Sequence, residues 1–132
     1  MPELTNINHV AITVTDLERS VPWYQEVLDM TKIMESTHPD GTGYFVLLAN
    51  ATFSVLVGLH AHPSNGAEAF AEARTGLDHV GFGVADHAAL EAWERRLVEL
   101  GVEHSPVNDQ TGYSAVVFRD PDNIQLEFVC MG

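Results

Sequence analysis

Cysteine and basic residues are what this chain has least of. Cys130 is the single cysteine among 132 residues, so no disulfide can form within the chain. That suits a reducing compartment. Lysine and arginine number 6 against 19 aspartates and glutamates, a formal net charge of −13 with histidine neutral. Nucleic acid and anionic lipid are held mainly through Lys and Arg, so a surface of this sign argues against both as partners. It also disfavours a highly anionic substrate unless the few basic residues converge on one pocket. No apolar run approaches the roughly 20 residues that span a bilayer. The start Met1-Pro2-Glu3-Leu4 lacks the basic and apolar blocks of a signal peptide. These absences together predict a cytoplasmic protein. What is present, 45% hydrophobic and 19% charged residues, fits one folded domain over residues 1–132.

The chain repeats itself. Ile7-Asn8-His9-Val10-Ala11-Ile12-Thr13-Val14-Thr15-Asp16 aligns with Leu77-Asp78-His79-Val80-Gly81-Phe82-Gly83-Val84-Ala85-Asp86 at a constant offset of 70. Trp23 then falls on Trp93. Tyr44 to Ala49 answers Ser114 to Phe118, and Phe53 to Leu59 answers Ile124 to Cys130 with a gap of one or two residues. Each half reads as strand, helix, then three strands. Module one covers about residues 5–59, a linker about 60–76, and module two about 77–130. Asp86 is placed to cap a helix at 87–100, with Leu90, Trp93, Leu97 and Leu100 as its buried stripe and Gly101 as its stop. Asp16 is the matching cap in module one. There Pro22 predicts a kink, or a helix whose regular part starts near Ser20. The alanine-rich stretch 67–74 predicts a short helix in the linker.

Alternation sorts the strand residues onto two faces. Val10, Ile12 and Val14 share the core face of the first strand, leaving His9, Ala11 and Thr13 on the other. In module two Val80, Phe82 and Val84 point inward, and His79, Gly81 and Gly83 point away. Both histidines therefore stand on the non-core face among small neighbours. Glycine is a poor strand residue, and two beside His79 leave room for a ligand or allow a bend. On the last strand Ile124, Leu126 and Phe128 share one face and Gln125, Glu127 and Val129 the other. A carboxylate inside so apolar a strand needs a partner. Two imidazoles at equivalent repeat positions plus this carboxylate make His9, His79 and Glu127 candidate ligands of a divalent metal: Fe(II), Mn(II), Zn(II) or Ni(II). Tyr44 and Tyr113, read as occupying equivalent places in the two modules, are candidates for substrate contact. His60 and His62 follow the fourth strand and are candidates for an extra ligand or an acid–base group, against plain solvation. Arg119 is placed to brace the turn Asp120-Pro121-Asp122-Asn123.

The opening NHVAITVTDLERSVPWYQEVL, its echo DHVGFGVADHAALEAWERRLVELG and the closing FRDPDNIQLEFV resemble the vicinal oxygen chelate superfamily. That group includes glyoxalase I, bleomycin-resistance proteins and extradiol ring-cleaving dioxygenases. The resemblance spans essentially the whole chain. It implies an α+β fold of two tandem βαβββ modules, wrapped into an open barrel around a metal and ligand cavity. It implies the same three ligands, and a homodimer. One departure stands out: glyoxalase I and related epimerases carry a fourth ligand, Glu or Gln, on the last strand of module one. Here Phe53 to Leu59 offers neither in any register.

A three-ligand site resembles that of Fe(II) oxygenases, so the leading reading is a dioxygenase-like metalloenzyme, with Fe(II) favoured. It would bind vicinal oxygens of a small organic substrate, and the catalytic acid–base residue is not assigned. The alternatives are a drug-sequestering protein of the bleomycin-resistance type, which the acidic balance suits, and a glyoxalase-like lyase. A fosfomycin-opening branch is disfavoured, because only Lys32 and Arg119 stand on strands to meet a phosphonate.

Overall fold

In each half, a short strand with alternating burial leads into a helix capped by an aspartate. The protein is described by a computed structural model covering residues 1–132. Its elements run β1 (Val10–Thr13), α1 (Leu17–Val27), β2 (Thr31–Thr37), β3 (Tyr44–Ala49) and β4 (Leu56–Ala61). They continue with β5 (Val80–Gly83), α2 (His87–Glu99), β6 (Asn108–Gln110), β7 (Tyr113–Arg119) and β8 (Gln125–Met131). The fold is α+β, strand–helix–three strands written twice. The chain divides into two compact units, Met1–Glu68 and Ala69–Gly132.

The first sheet has strand order β1-β4-β3-β2 and the second β5-β8-β7-β6, each open, with four strands. The first strand of each unit pairs parallel with the last, and the other pairs are antiparallel. Each helix packs on the two central strands, α1 on β4 and β3, α2 on β8 and β7. The helix-facing residues are the core: Ile12, Val14, Tyr24, Val46, Leu48, Val57 and Leu59 in the first unit, and Leu90, Leu97, Val116, Phe118, Leu126 and Phe128 in the second. Burying each such side chain contributes about 1.5–3 kcal/mol. No helix is long and apolar enough to cross a membrane.

Both helices start as the caps require. The Asp16 carboxylate accepts from the Glu18 N–H, and Asp86 from the Ala89 N–H. Their ends match too. The Val102 N–H reaches the Leu97 carbonyl and the Gly101 N–H that of Val98, with Gly101 at φ +69°. Met30 N–H reaches Gln25 in the same way, with Asp29 at φ +53° in the position glycine takes in α2. Three expectations need correction. Helix α1 is continuous from Leu17 through Pro22, not delayed to Ser20. The carbonyl that Pro22 leaves without its helical partner belongs to exposed Glu18. No helix forms over 67–74: Ala67 takes φ +57° and its N–H is held by the Asn65 side chain. Strand β4 extends to Ala61, so His60 is a strand residue and does not open a linker.

Residues after Ala69 are fastened to the second unit. The Phe70 N–H donates to the Asp122 carbonyl at 3.0 Å, and Asn123 Nδ2 returns a bond to the Phe70 carbonyl at 3.2 Å. Arg119 braces the neighbouring turn as its position predicts, donating to the Asn123 carbonyl and to Gln125 Oε1, and it pairs with Glu72. Asp120, 5% exposed, accepts from the N–H groups of Asp122 and Ile124 inside that turn.

A surface pair ties α2 to β6 and carries a pH signature. His87 Nε2 donates to Asp109 Oδ1 at 2.9 Å, and its Nδ1 lies 3.3 Å from Glu91. The Asp109 bond, with the Asp109 and Glu91 charges behind it, raises the His87 pKa, while Ser114 and then His87 lower that of Asp109. A raised histidine contributes stability that is complete below its unfolded value, about 6.5, and lost as pH rises through the folded one. A lowered aspartate contributes above about 3.9 and loses it in acid. His87→Ala should therefore lower the melting temperature more at pH 5.5 than at pH 8.5. The difference should be small for so exposed a pair. Equal losses at the two pH values would contradict the pairing.

Candidate metal centre

The parallel pairing of first and last strands decides what shares a face with each conserved-offset histidine. In the second unit β5 and β8 run in register Val80↔Leu126, Gly81↔Glu127 and Phe82↔Phe128. His79, Gly81 and Glu127 therefore line the face away from α2. His79 Nε2 stands 3.7 Å from Glu127 Oε2, and Glu127 Oε1 accepts from Gln125 Nε2 at 3.3 Å. The Glu127 side chain is 19% exposed, that of His79 41%. A Cβ added at Gly81 would come within 4.0 Å of Glu127 Oε2, so any longer side chain there would extend over the carboxylate.

The other nitrogen of His79 is occupied. Nδ1 donates to the Asp78 carboxylate at 2.6 Å, which turns Nε2 towards Glu127. The Asp78 bond is the main reason the His79 pKa is raised, with the Glu127 charge adding to it. In the first unit His9 Nδ1 bonds Asn8 Oδ1 at 2.8 Å, again the side chain of the preceding residue. Asn8 and Asp78 are themselves 70 positions apart, so the device that orients the imidazole repeats with the imidazole. Sequence reading passed over this pair, although both residues stand in the aligned decapeptides.

The first unit supplies the register Val10↔Val57, Ala11↔Gly58 and Thr13↔His60. Ala11 is to Gly58 as Gly81 is to Glu127, so Gly58 holds the place of Glu127 in module one. The ligand missing from Phe53 to Leu59 is thus replaced by a residue with no side chain. The space is used by His60, whose Nε2 would lie 3.3 Å from a Cβ built on Gly58. Burial lowers the His60 pKa, and the neighbouring His38, His62 and His9 push the same way. His60 is therefore a neutral imidazole near pH 7 on the face that carries His9.

Two further histidines join it. His38 Nε2 lies 2.9 Å from His60 Nδ1, and one ring nitrogen from each of His38, His60 and His62 falls within a 4.8 Å span. His38 went unmarked in the sequence because it belongs to the β2–β3 turn and only folding brings it to β4.

The two tyrosines do not occupy equivalent places. Tyr44 pairs with Ala61 on the helix-facing side with Val46 and Leu48, whereas Tyr113 pairs with Met131 on the side of Val117 and Glu127. Tyr113 lies 69 rather than 70 positions after Tyr44, and that one residue reverses the face. The structural counterpart of Tyr44 is Ser114. Lys32 and Arg119, the two strand cations, are committed to Glu35 and Glu72.

A family model, the Glyoxalase/Bleomycin resistance protein/Dioxygenase superfamily, matches residues 6–128. The chain belongs to that superfamily. A solved glyoxylase/bleomycin resistance protein/dioxygenase domain from Frankia sp. EAN1pec superposes with a TM-score of 0.89 at 32% identity, covering 98% of this chain and 100% of that one. Lactoylglutathione lyase of Haemophilus influenzae is 28% identical, over 93% of this chain and 90% of its own length. The uncharacterized protein YwkD of Bacillus subtilis is likewise 28% identical, over 94% and 95%.

Proposed function

We propose that the chain is a metal-dependent enzyme of this superfamily, with His9, His79 and Glu127 as ligands. The observation that carries the reading is the shared orientation of the histidines. Each has Nδ1 bonded to its preceding side chain and Nε2 left as the donor, and His79 Nε2 already stands 3.7 Å from Glu127 Oε2. Two imidazoles and a carboxylate fit a divalent first-row ion, Fe(II) first and Mn(II), Zn(II) or Ni(II) after it. Such an ion supplies Lewis acidity towards vicinal oxygens of a small organic substrate and, as iron, the redox chemistry of ring cleavage.

The chain does the rest. Asp78 and Asn8 hold the imidazoles in the donating tautomer, and Gly81 keeps the space over Glu127 clear. Tyr113, the first residue of β7 and on the Glu127 face, is the tyrosine we assign to substrate contact. Tyr44 keeps a contact role only at its strand end. A homodimer belongs to the reading, and β2, exposed along its length with Ile33 and Met34 outward, is a free sheet edge for it.

A second reading, a glyoxalase-like lyase, is favoured by the likeness to lactoylglutathione lyase. Gly58 weighs against it, since proton transfer between carbons calls for a base beside the metal and module one offers no carboxylate there. The test is elemental analysis of tag-free protein purified anaerobically, followed by assays on catechols under oxygen and on a methylglyoxal–thiol adduct. Iron near one equivalent with oxygen uptake on catechols is expected. Zinc or nickel with turnover of the adduct would replace the dioxygenase reading by the lyase. Metal-free protein that binds a cationic drug tightly would replace both by sequestration.

A further inference from the structure

We propose that His38, His60 and His62 form a second divalent-metal site, held within module one and independent of the site built on Glu127. The three rings approach from two elements, His60 from β4 with His62 just beyond it, and His38 from the end of β2. Ring centroids lie 4.7 Å apart for His38 and His62, 5.1 Å for His38 and His60, and 6.4 Å for His60 and His62. His38 and His60 are half-buried and His62 stands nearer the surface, so the rings are held by protein on one side and open to water on the other. Tetrahedral coordination at about 2.0–2.1 Å per bond sets neighbouring nitrogens about 3.3 Å apart. The present separations, 2.9 Å for the closest pair and at most 4.8 Å over the set, bracket that value, so rotation of the rings suffices to close the site.

The surroundings are shaped for these rings. Phe45, opposite His60 in the β3–β4 register, stacks on His60 at 5.2 Å and 18° and on His38 at 6.3 Å and 11°. Gly43 has no alternative: a Cβ there would run into the His38 ring and the Ala61 carbonyl. The His38 N–H bonds the Gly43 carbonyl at 2.8 Å and closes the turn that presents the ring. Asp40, the nearby carboxylate of that turn, is engaged by the N–H and hydroxyl of Thr42. The donor set is therefore three imidazoles without thiolate or carboxylate. That set selects late first-row ions, Zn(II), Ni(II), Cu(II) or Co(II), over Mg(II), Ca(II) or Mn(II), and leaves a fourth position for water. The net charge of −13 favours arrival of a cation.

Zinc and Co(II) titration of the full chain, tag-free and stripped by chelator, decides the matter. In the Glu127→Ala variant one equivalent of zinc should still bind, and Co(II) should give the visible absorption of a tetrahedral site. Adding His38→Ala and His62→Ala to that background should remove both. In the Glu127→Ala background His62→Gln, a milder change, should weaken zinc by more than about tenfold with the circular dichroism unchanged. No zinc bound by Glu127→Ala, or undiminished zinc in the combined variant, would overturn the proposal and leave the trio a hydrogen-bonded histidine cluster. Metal lost only with His38 and His62 would support this site while refuting the one on Glu127, so the two readings fail separately.

Discussion

Glu127→Gln and His79→Ala are each expected to strip the protein of the metal assigned to the Glu127 site, while Asp78→Ala weakens binding without abolishing it. The ranking follows from what each side chain does. Glu127 Oε2 and His79 Nε2, 3.7 Å apart, are the donors themselves, and Gln fills the space of Glu without its charge. Asp78 never faces the ion. Its bond to His79 Nδ1 fixes the tautomer and the ring plane, and losing such an outer partner costs about 10–100-fold in affinity. Asn8→Ala should behave alike through His9. Competition against a chelator of known affinity measures all four. Loss of a donor should exceed the outer-partner effect by at least about tenfold, with the equivalent held at the Glu127 site lost. Asp78→Ala matching His79→Ala, or Glu127→Gln keeping wild-type affinity, would defeat the assignment. Because Glu127 is a partly buried carboxylate, its replacement should leave the metal-free protein as stable as before, or more so.

What was legible beforehand was whatever a period of 70 and strand alternation carry. The repeat fixes two copies of strand–helix–three strands, the aspartate caps and the core stripe of α2, because each depends on short-range spacing. The alternation also puts His79 and Glu127 on one face, and the β5–β8 register Gly81↔Glu127 agrees. What failed depended on tertiary context or on a one-residue count. Tyr113 lies 69 positions after Tyr44, one short of the period, so the register puts Tyr44 on the helix side and Tyr113 on the Glu127 side. Alanine-rich 67–74 has the propensity for a helix, but the Asn65 turn, the positive φ at Ala67 and the Phe70 bonds to the Asp122 turn hold it as loop and turn. His38 lies 22 residues from His60 with no motif between them, and only the β2–β3–β4 meander joins them.

Phe128→Ala should be the most destabilising single change in the second unit, by about 3–5 kcal/mol. Phe128 is 2% exposed on β8, one residue from Glu127 and on the opposite face. It stacks on Trp93 of α2 at 4.6 Å and on Phe118 of β7 at 4.7 Å, and meets Phe82 of β5 at 6.4 Å. One ring thus joins the helix to three strands. Against a total stability of about 5–15 kcal/mol for a domain, that loss is a large fraction. Phe82→Ala, at a half-buried position on the strand that pairs with β8, should cost less. Trp93 reports the transition directly, so urea unfolding followed by its fluorescence in a Trp23→Phe background isolates the second unit from the first. A cost below about 1 kcal/mol, the range of ordinary surface changes and mild repacking, would mean that the stack is not the centre of this core. The contrast with Glu127→Gln is the sharper test of the strand as a whole. Adjacent residues on β8 should separate cleanly, one change removing stability and the other removing metal, because alternation gives one face of the sheet to packing and the other to chemistry.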